Sequence, residues 1–171
     1  MKKTKKKAIN RLPEKLWQLL ERAITDAQKI EHMPGYELDM QSWVGIFEEG
    51  QPCQVCLAGS VMVCTLKAQK SKYFTTEMKS SSTVHMGPED FGDETLCRKL
   101  NAIDYMRCGD FKGALTQLHG VGGIENLTLA EIFVLDALEA EVSDYVRDSN
   151  EGKAPWDVYD KAIQVLELID V

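Results

Sequence analysis

Apolar side chains recur at helical spacing along most of the chain and predict an all-α, single-domain bundle of five or six helices. The first predicted helix covers residues 13–33, where apolar positions repeat every three or four residues. Pro34 and Gly35 follow it and end it, because both residues interrupt a helix. The apolar positions are Leu16, Leu19, Leu20, Ala23, Ile24, Ala27 and Ile30.

The run over residues 52–67 is nearly uncharged and contains three of the five cysteines. As a helix it is apolar almost all round, which is typical of an element surrounded by others. Pro52 suits the first helical position. The small residues Ala58, Gly59 and Ser60 would let a neighbouring helix approach closely. We therefore predict a central core helix here, around which the other helices pack.

Capping residues divide the second half of the chain into further helices. Asp93 and Asp110 are predicted to cap two successive helices, and Thr128 with Glu131 has the spacing of a capping box. The helix after Thr128 is predicted to turn these residues inward: Leu129, Ile132, Phe133, Leu135, Leu138, Val142 and Tyr145. The last helix opens at Pro155 and is predicted to bury Val158, Ala162, Val165, Leu166 and Ile169.

A chain of 171 residues is long enough for one domain with its own core. We predict a disordered basic leader over residues 1–12 and a helical domain over residues 13–171. Within that domain, residues 40–47 are expected to form a short helix. Residues 68–92 show no clear periodicity and are predicted to form a mobile connector.

Charge is unevenly distributed. The net charge is −7, but residues 1–22 carry +6 and the remainder carries −13. An acidic body argues against binding of nucleic acid by the fold itself. Only the leader could make a secondary contact with nucleic acid or an acidic partner, although a lysine run at a chain terminus is usually solvated. Its lysines are Lys2, Lys3, Lys5, Lys6 and Lys7.

No apolar run approaches the roughly 20 residues that span a bilayer, and no apolar signal segment follows the lysines. We therefore expect a cytoplasmic protein without a membrane partner. The number of cysteines is odd, and cytosolic thiols stay reduced, so the sequence predicts free cysteines.

Cys53 and Cys56 are the strongest candidates for chemistry, because a thiol in the first turn of a helix can have a lowered pKa. Glu48 and Glu49 precede them, however, and nearby carboxylates raise a thiol pKa. The structural interpretation is a seam of small core side chains that also includes Cys64. A thiol-dependent enzyme, either redox or hydrolytic, stays open as the alternative to a protein without catalytic residues.

We predict neither a metal ion nor a cofactor. On one helix Cys64 would lie about 16 Å beyond Cys53, too far to share a zinc ion with it. A cysteine hydrolase would need Cys53 beside His85 or His119, with Gln51 as an oxyanion donor. The remaining zinc-ligand types are His32, His85, His119, Cys97 and Cys108, and no two of them are closely spaced in sequence.

Carboxylates cluster on and next to the helix after Thr128. This acidic face comprises Asp136, Glu139, Glu141, Asp144, Asp148, Glu151 and Asp157. One interpretation is a solvated helix face. The other is a surface that docks on a basic partner protein in place of nucleic acid, since close carboxylates can mimic phosphates and steer association.

Residues 110–118 align without gaps to residues 158–166, with aromatic, alanine and leucine positions in common. Together with Ala102, Tyr105 and Gly109, this pattern resembles a degenerate pair of tetratricopeptide-type helical hairpins. The resemblance implies helical hairpins that bind protein. Simple packing of two hairpins is the alternative, because the offset of 48 residues exceeds that family's repeat length.

Residues 53–62 and 100–107 resemble small accessory proteins of tailed bacteriophages. That resemblance brings no assigned chemistry. It implies a viral protein in the cytoplasm of a bacterial host, where such proteins bind and disable host factors. The sequence as a whole favours a non-enzymatic regulator or inhibitor that binds a protein with a basic surface.

Overall fold

The computed structural model describes residues 12–40, 43–46, 51–66, 84–87, 93–148 and 156–171. Within these ranges the chain is mostly helical, which confirms the predicted fold class, and it adds one small sheet. The helices are α1 (Leu16–Ile30), α2 (Leu57–Cys64), α3 (Glu94–Arg107), α4 (Phe111–His119), α5 (Gly122–Glu125), α6 (Leu129–Asp148) and α7 (Trp156–Leu168). The strands are β1 (Tyr36–Leu38), β2 (Val44–Ile46), β3 (Cys53–Val55) and β4 (Val84–Met86).

The face that α1 buries is the one that its apolar spacing predicts, and all seven apolar positions are buried. Asp26 is a buried polar exception on this helix. The hydroxyl of Thr65 donates a hydrogen bond to its carboxylate, and Lys29 Nζ lies 3.2 Å from Asp26 Oδ1. These two contacts offset the cost of burying the charge and join α1 to the end of α2.

The central core helix is α2, and all eight of its residues are buried. It packs against both α1 and α3. The predicted start at Pro52 is wrong, because Cys53–Val55 forms β3 and the helix begins at Leu57. Hydrogen bonds to β1 and β2 replace the first helical turn, and Cys56 caps the helix by accepting the Gly59 N–H at 3.5 Å.

The four strands form one sheet in the order β1-β3-β2-β4, in which β1 is parallel to β3 and β2 is antiparallel to both of its neighbours. The short helix predicted over residues 40–47 is wrong at 44–46, where β2 pairs with β3 and β4. β4 lies inside the connector predicted over residues 68–92. Apart from Gly87, the rest of that connector up to residue 92 lies outside the described residues.

Gly59 is the point at which the main chain before β2 meets α2. A Cβ at Gly59 would collide with the carbonyl oxygen of Trp43. The same oxygen accepts the Cys56 N–H at 3.3 Å. Small residues in α2 therefore do allow a close approach, as predicted, but it is the backbone of Trp43, just before β2, that approaches Gly59, and not a helix.

The hairpin of α3 and α4 has the predicted caps. Asp93 Oδ1 accepts the Leu96 N–H at 2.9 Å, and Asp110 Oδ1 accepts the Gly113 N–H at 2.7 Å. Gly109 between the helices has a φ of 82°, and a Cβ there would lie 2.7 Å from Ser143 Oγ. This glycine lets the hairpin turn directly against α6.

α6 begins with the predicted capping box: the Thr128 N–H donates to Glu131 Oε2 at 2.8 Å, and the Glu131 N–H donates to Thr128 Oγ1 at 3.2 Å. Leu135, Leu138 and Val142 are buried as predicted. Three other residues predicted to face inward are exposed, namely Leu129 at 68%, Phe133 at 62% and Tyr145 at 45%. The prediction is wrong there because α6 packs on α4 and α7 through one face only.

α7 buries Tyr159, Ala162 and Leu166, while Val158, Val165 and Ile169 are partly buried. The three buried residues are those that align with Phe111, Ala114 and Leu118, which are also buried. The internal sequence similarity therefore corresponds to equivalent core positions on α4 and α7. Pro155, predicted to open the last helix, lies outside the described residues.

Leu12, which the sequence assigns to the leader, belongs to the core and is 3% exposed. Its carbonyl oxygen accepts a hydrogen bond from Lys99 Nζ at 2.7 Å, and the same ammonium lies 2.6 Å from Glu14 Oε1. Leu12 is therefore part of the packed domain. Residues 1–11, including the five leader lysines, lie outside the described residues.

Candidate functional site

The cysteine pair lies in the interior of the molecule. Cys53 is the first residue of β3 and is 2% exposed, and Cys56 is the cap of α2 and is 1% exposed. Cys64 at the other end of α2 is also buried, and its thiol donates to the carbonyl oxygen of Asp26 at 3.7 Å. The three side chains fill the core around α2.

Burial raises the pKa of Cys53 and of Cys56 to about 11, and the N–H groups of Gly45 and Gly59 offset only part of that effect. Both thiols are therefore protonated at neutral pH. A protonated thiol inside a packed core is a poor nucleophile and a poor metal ligand. The position of the pair beside a helix N-terminus does not produce the lowered pKa that an oxidoreductase needs.

Among the described residues, no three histidine, cysteine, aspartate or glutamate side chains are grouped so that they could hold a metal ion. His32, His119 and Cys108 are exposed, and Cys97 is partly buried. The side chain of His85, the other imidazole considered for a hydrolase, lies outside the described part of the chain.

The acidic face lies on α6 and at the start of α7. Asp136, Glu141, Asp144 and Asp157 are exposed, and Glu139 is partly buried. Between Leu129 and Tyr145, α6 carries four carboxylates of this face, together with Glu131 of the capping box, and no lysine or arginine. Of the remaining predicted members, the side chain of Asp148 and the whole of Glu151 lie outside the described residues.

Two lysines from neighbouring helices contact this face. Lys112 on α4 pairs with Asp136, its Nζ lies 3.4 Å from Glu139 Oε2, and its N–H donates to Glu139 Oε1 at 2.8 Å. These contacts raise the pKa of Lys112, with the Asp136 hydrogen bond as the largest cause. Lys161 on α7 donates to both oxygens of Glu141, at 2.7 and 2.9 Å. The pairs tie α6 to the bundle, and carboxylates still outnumber the lysines.

Sequence reasoning missed the apolar part of the α6 surface. Phe133 is 62% and Leu129 68% exposed, while Ala130, Ala137 and Ala140 on the same side are also exposed. We call these five residues the α6 outer stripe. Its only signal in the sequence is that α6 is apolar on more of its circumference than one buried face requires.

A polar group inside the fold also went unpredicted. Arg107 Nε donates to Asp104 Oδ1 at 2.8 Å, and the hydroxyl of Tyr159 donates to the Arg107 carbonyl oxygen at 2.8 Å. Burial is the largest single effect on the pKa of Arg107 and lowers it, but the hydrogen bond to Asp104 and the charges of Asp104 and the nearby thiols together raise that pKa above its usual value. This group joins α3 to α7 and has the form of a structural contact.

A surface cleft of about 470 Å³ lies between the start of α1, the end of α4 and residues 122–127. Its charged side chains are engaged with protein groups: Lys15 Nζ lies 2.5 Å from Asp170 Oδ1, and Glu14 pairs with Lys99. His119 and Asn126 also line it. The cleft contains no nucleophile beside a base.

None of the helices in the described part of the chain has both the length and the apolar character that crossing a membrane requires. Comparison of the chain with protein-family models, with curated proteins and with solved structures found no match.

Proposed function

We propose that this protein is a non-enzymatic regulator or inhibitor that acts by binding another protein through the acidic face of α6 and α7. The observation that carries the proposal is the set of four acidic-face carboxylates on α6 between Leu129 and Tyr145, a span that has no lysine or arginine. Such a surface attracts a basic partner and repels nucleic acid.

The proposed partner is a bacterial host protein with a basic surface, of the kind that binds nucleic acid or serves in defence. The host is part of the proposal because residues 53–62 and 100–107 resemble phage accessory proteins. A binding surface of this kind requires no cofactor. Its contribution is electrostatic complementarity, which speeds encounter and selects the partner.

The buried thiols support a structural role for α2 over a thiol-dependent enzyme. Burial of part of its thiol raises the pKa of Cys108, but the residue is exposed. We therefore expect iodoacetamide at mildly alkaline pH to label Cys108 and to leave Cys53 and Cys56 unmodified in the folded protein. The readout is peptide mass spectrometry, with protein unfolded in guanidinium chloride as the control in which all cysteines react. Labelling of Cys53 or Cys56 in the folded protein would restore the enzyme alternative.

Affinity capture tests the binding proposal. The immobilised full chain is incubated with bacterial lysate at low salt, and we expect a stoichiometric partner to be retained. The double variant Asp144→Lys/Asp157→Lys reverses charge on the acidic face and should lose that partner. The matched control Glu31→Lys/Glu37→Lys makes the same change at exposed residues after α1 and in β1 and should keep it. Absence of a partner, or equal loss in both variants, would contradict the proposal.

A further inference from the structure

We infer that the α6 outer stripe is the docking site for a basic amphipathic helix of the partner protein. This inference rests on the proposed function and adds to it the contact surface and the chemistry of the segment that binds. It is carried by the exposed apolar residues of α6, their spacing, and the charges along their two sides.

The stripe faces away from the core. Leu135, Leu138 and Val142 are buried on one side of α6, whereas Phe133, on the opposite side, is 62% exposed. Leu129 precedes Phe133 by four residues, so the two side chains are neighbours on the helix surface. Adjacent exposed apolar side chains form a contiguous patch, and such patches, unlike singly scattered apolar residues, mark interaction sites as they grow larger.

The side chains of the stripe are also suited to packing against a second helix. Ala137 and Ala140 follow Phe133 on the same side, and both are exposed. Their small side chains allow a partner's backbone to come close, while Phe133 supplies a large side chain to insert between partner residues. From Leu129 to Ala140 the stripe runs about 16 Å at 1.5 Å per residue, which is about three helical turns.

Charge decides the kind of helix that fits. At about 100° per residue, Asp136 lies about 60° to one side of Phe133 and Glu141 about 80° to the other. Asp144 lies beyond Ala140 at the end of the stripe. The apolar strip is therefore edged by carboxylates on both sides and at one end. A partner helix with an apolar face of leucine-like residues and with flanking lysines or arginines complements both the apolar strip and its acidic edges.

The two lysines that already pair with these carboxylates do not prevent a basic helix from binding. Lys112 is shared between Asp136 and Glu139, and Lys161 pairs with Glu141 through side chains that are 56% and 46% exposed. Exposed ion pairs contribute little to stability, so a partner cation can share or replace them at little cost. A second copy of the chain is a poorer fit, because pairing two α6 helices would bring these carboxylates together.

The test uses a fluorescein-labelled peptide of about 18 leucine and lysine residues with helical amphipathic spacing, titrated with the full chain at low salt. Two control peptides have glutamate in place of lysine, or the same residues in an order without helical period. We expect binding of the basic amphipathic peptide alone, and about a tenfold loss of affinity in Phe133→Ala. Leu168→Ala removes a side chain that is 85% exposed on α7 and should leave the affinity unchanged.

Three results would overturn the inference. One is equal binding of the glutamate peptide or the scrambled peptide. Another is equal affinity in Phe133→Ala and the unsubstituted chain. The third is concentration-dependent dimerisation that Phe133→Ala abolishes, which would make a second copy the occupant. The peptide test could fail while the full chain still captures a partner from lysate and the charge-reversed variant loses it. In that case the proposed function would still hold, and only the docking site would be wrong.

Discussion

At Gly59 two parts of the core approach closely, because a Cβ there would collide with the carbonyl oxygen of Trp43. We expect Gly59→Ala to lower the free energy of unfolding by about 3 kcal/mol, since backbone must move to admit the methyl group. Urea denaturation followed by circular dichroism measures the change. The control is Gly122→Ala, where the new Cβ meets only Asn126 Nδ2 at 3.9 Å. Similar losses in both variants would contradict this account of Gly59.

Because of the buried thiols, we expect the free energy of unfolding to decrease at alkaline pH. Burial raises the pKa of Cys53 and of Cys56 from 9.0 to about 11. Below about pH 9 both states hold these protons. Between about pH 9 and pH 11 the unfolded chain releases them first, so the free energy of unfolding falls as the pH rises.

Urea denaturation at a series of pH values measures that slope. Tyr36, whose pKa burial raises to about 12, also contributes at the alkaline end. The decisive comparison is therefore Cys53→Ala, which removes one titrating thiol and should show a shallower decline between about pH 9 and pH 11. An identical slope in the variant would mean that Cys53 does not titrate as its burial implies.

The start of α6 depends on a reciprocal pair of local hydrogen bonds between Thr128 and Glu131. We expect Thr128→Ala to destabilise the protein by about 1 kcal/mol, because the Glu131 N–H loses its acceptor. Thr116→Ala is the matched control: its hydroxyl donates to the Lys112 carbonyl oxygen within α4 and caps nothing. Thermal unfolding of the two variants distinguishes them, and an equal effect would show that the capping box is not the cause.

Helices in this protein differ in how much of their surface the bundle covers. α2 is buried on all sides, α1 buries one broad face, and α6 buries a narrow one. The difference follows from position: α2 packs against both α1 and α3, whereas α6 buries residues on one face only. Among the described helices, α6 therefore leaves an apolar side uncovered, which is the surface of the proposed docking site.

Lys99 joins the first described residues of the chain to α3. Its ammonium donates to the Leu12 carbonyl oxygen at 2.7 Å and to Glu14 Oε1 at 2.6 Å, and its side chain is 5% exposed. We expect Lys99→Met to cost about 2 kcal/mol, because the Leu12 carbonyl oxygen loses its donor while the apolar stem is kept.

Lys15→Met is the control for that measurement. Lys15 pairs with Asp170 on the surface, where the two side chains are 41% and 75% exposed, so the loss should stay within about 0.5 kcal/mol. Both variants are compared by urea denaturation. A cost for Lys15→Met as large as that for Lys99→Met would indicate that burial does not set the value of these pairs.

The candidate site was predictable only in part. Helical spacing predicts which carboxylates cluster on α6, since residues three and four apart share a face. Their pairing with Lys112 and Lys161 did not follow, because those lysines come from α4 and α7. Likewise, the chain pattern places Cys56 at the start of a helix, but only packing raises its pKa.

Local signals specify the helices of this protein: the spacing of apolar residues predicts α1, and the caps at Asp93, Asp110 and Thr128 fix three helix starts, since these interactions are made within a few residues. The sheet and the outward face of α6 depend on which elements become neighbours. β3 forms because β1 and β2 offer it hydrogen-bonding partners distant in sequence. Phe133 is exposed because no described element covers its side of α6, which no pattern within the helix could reveal.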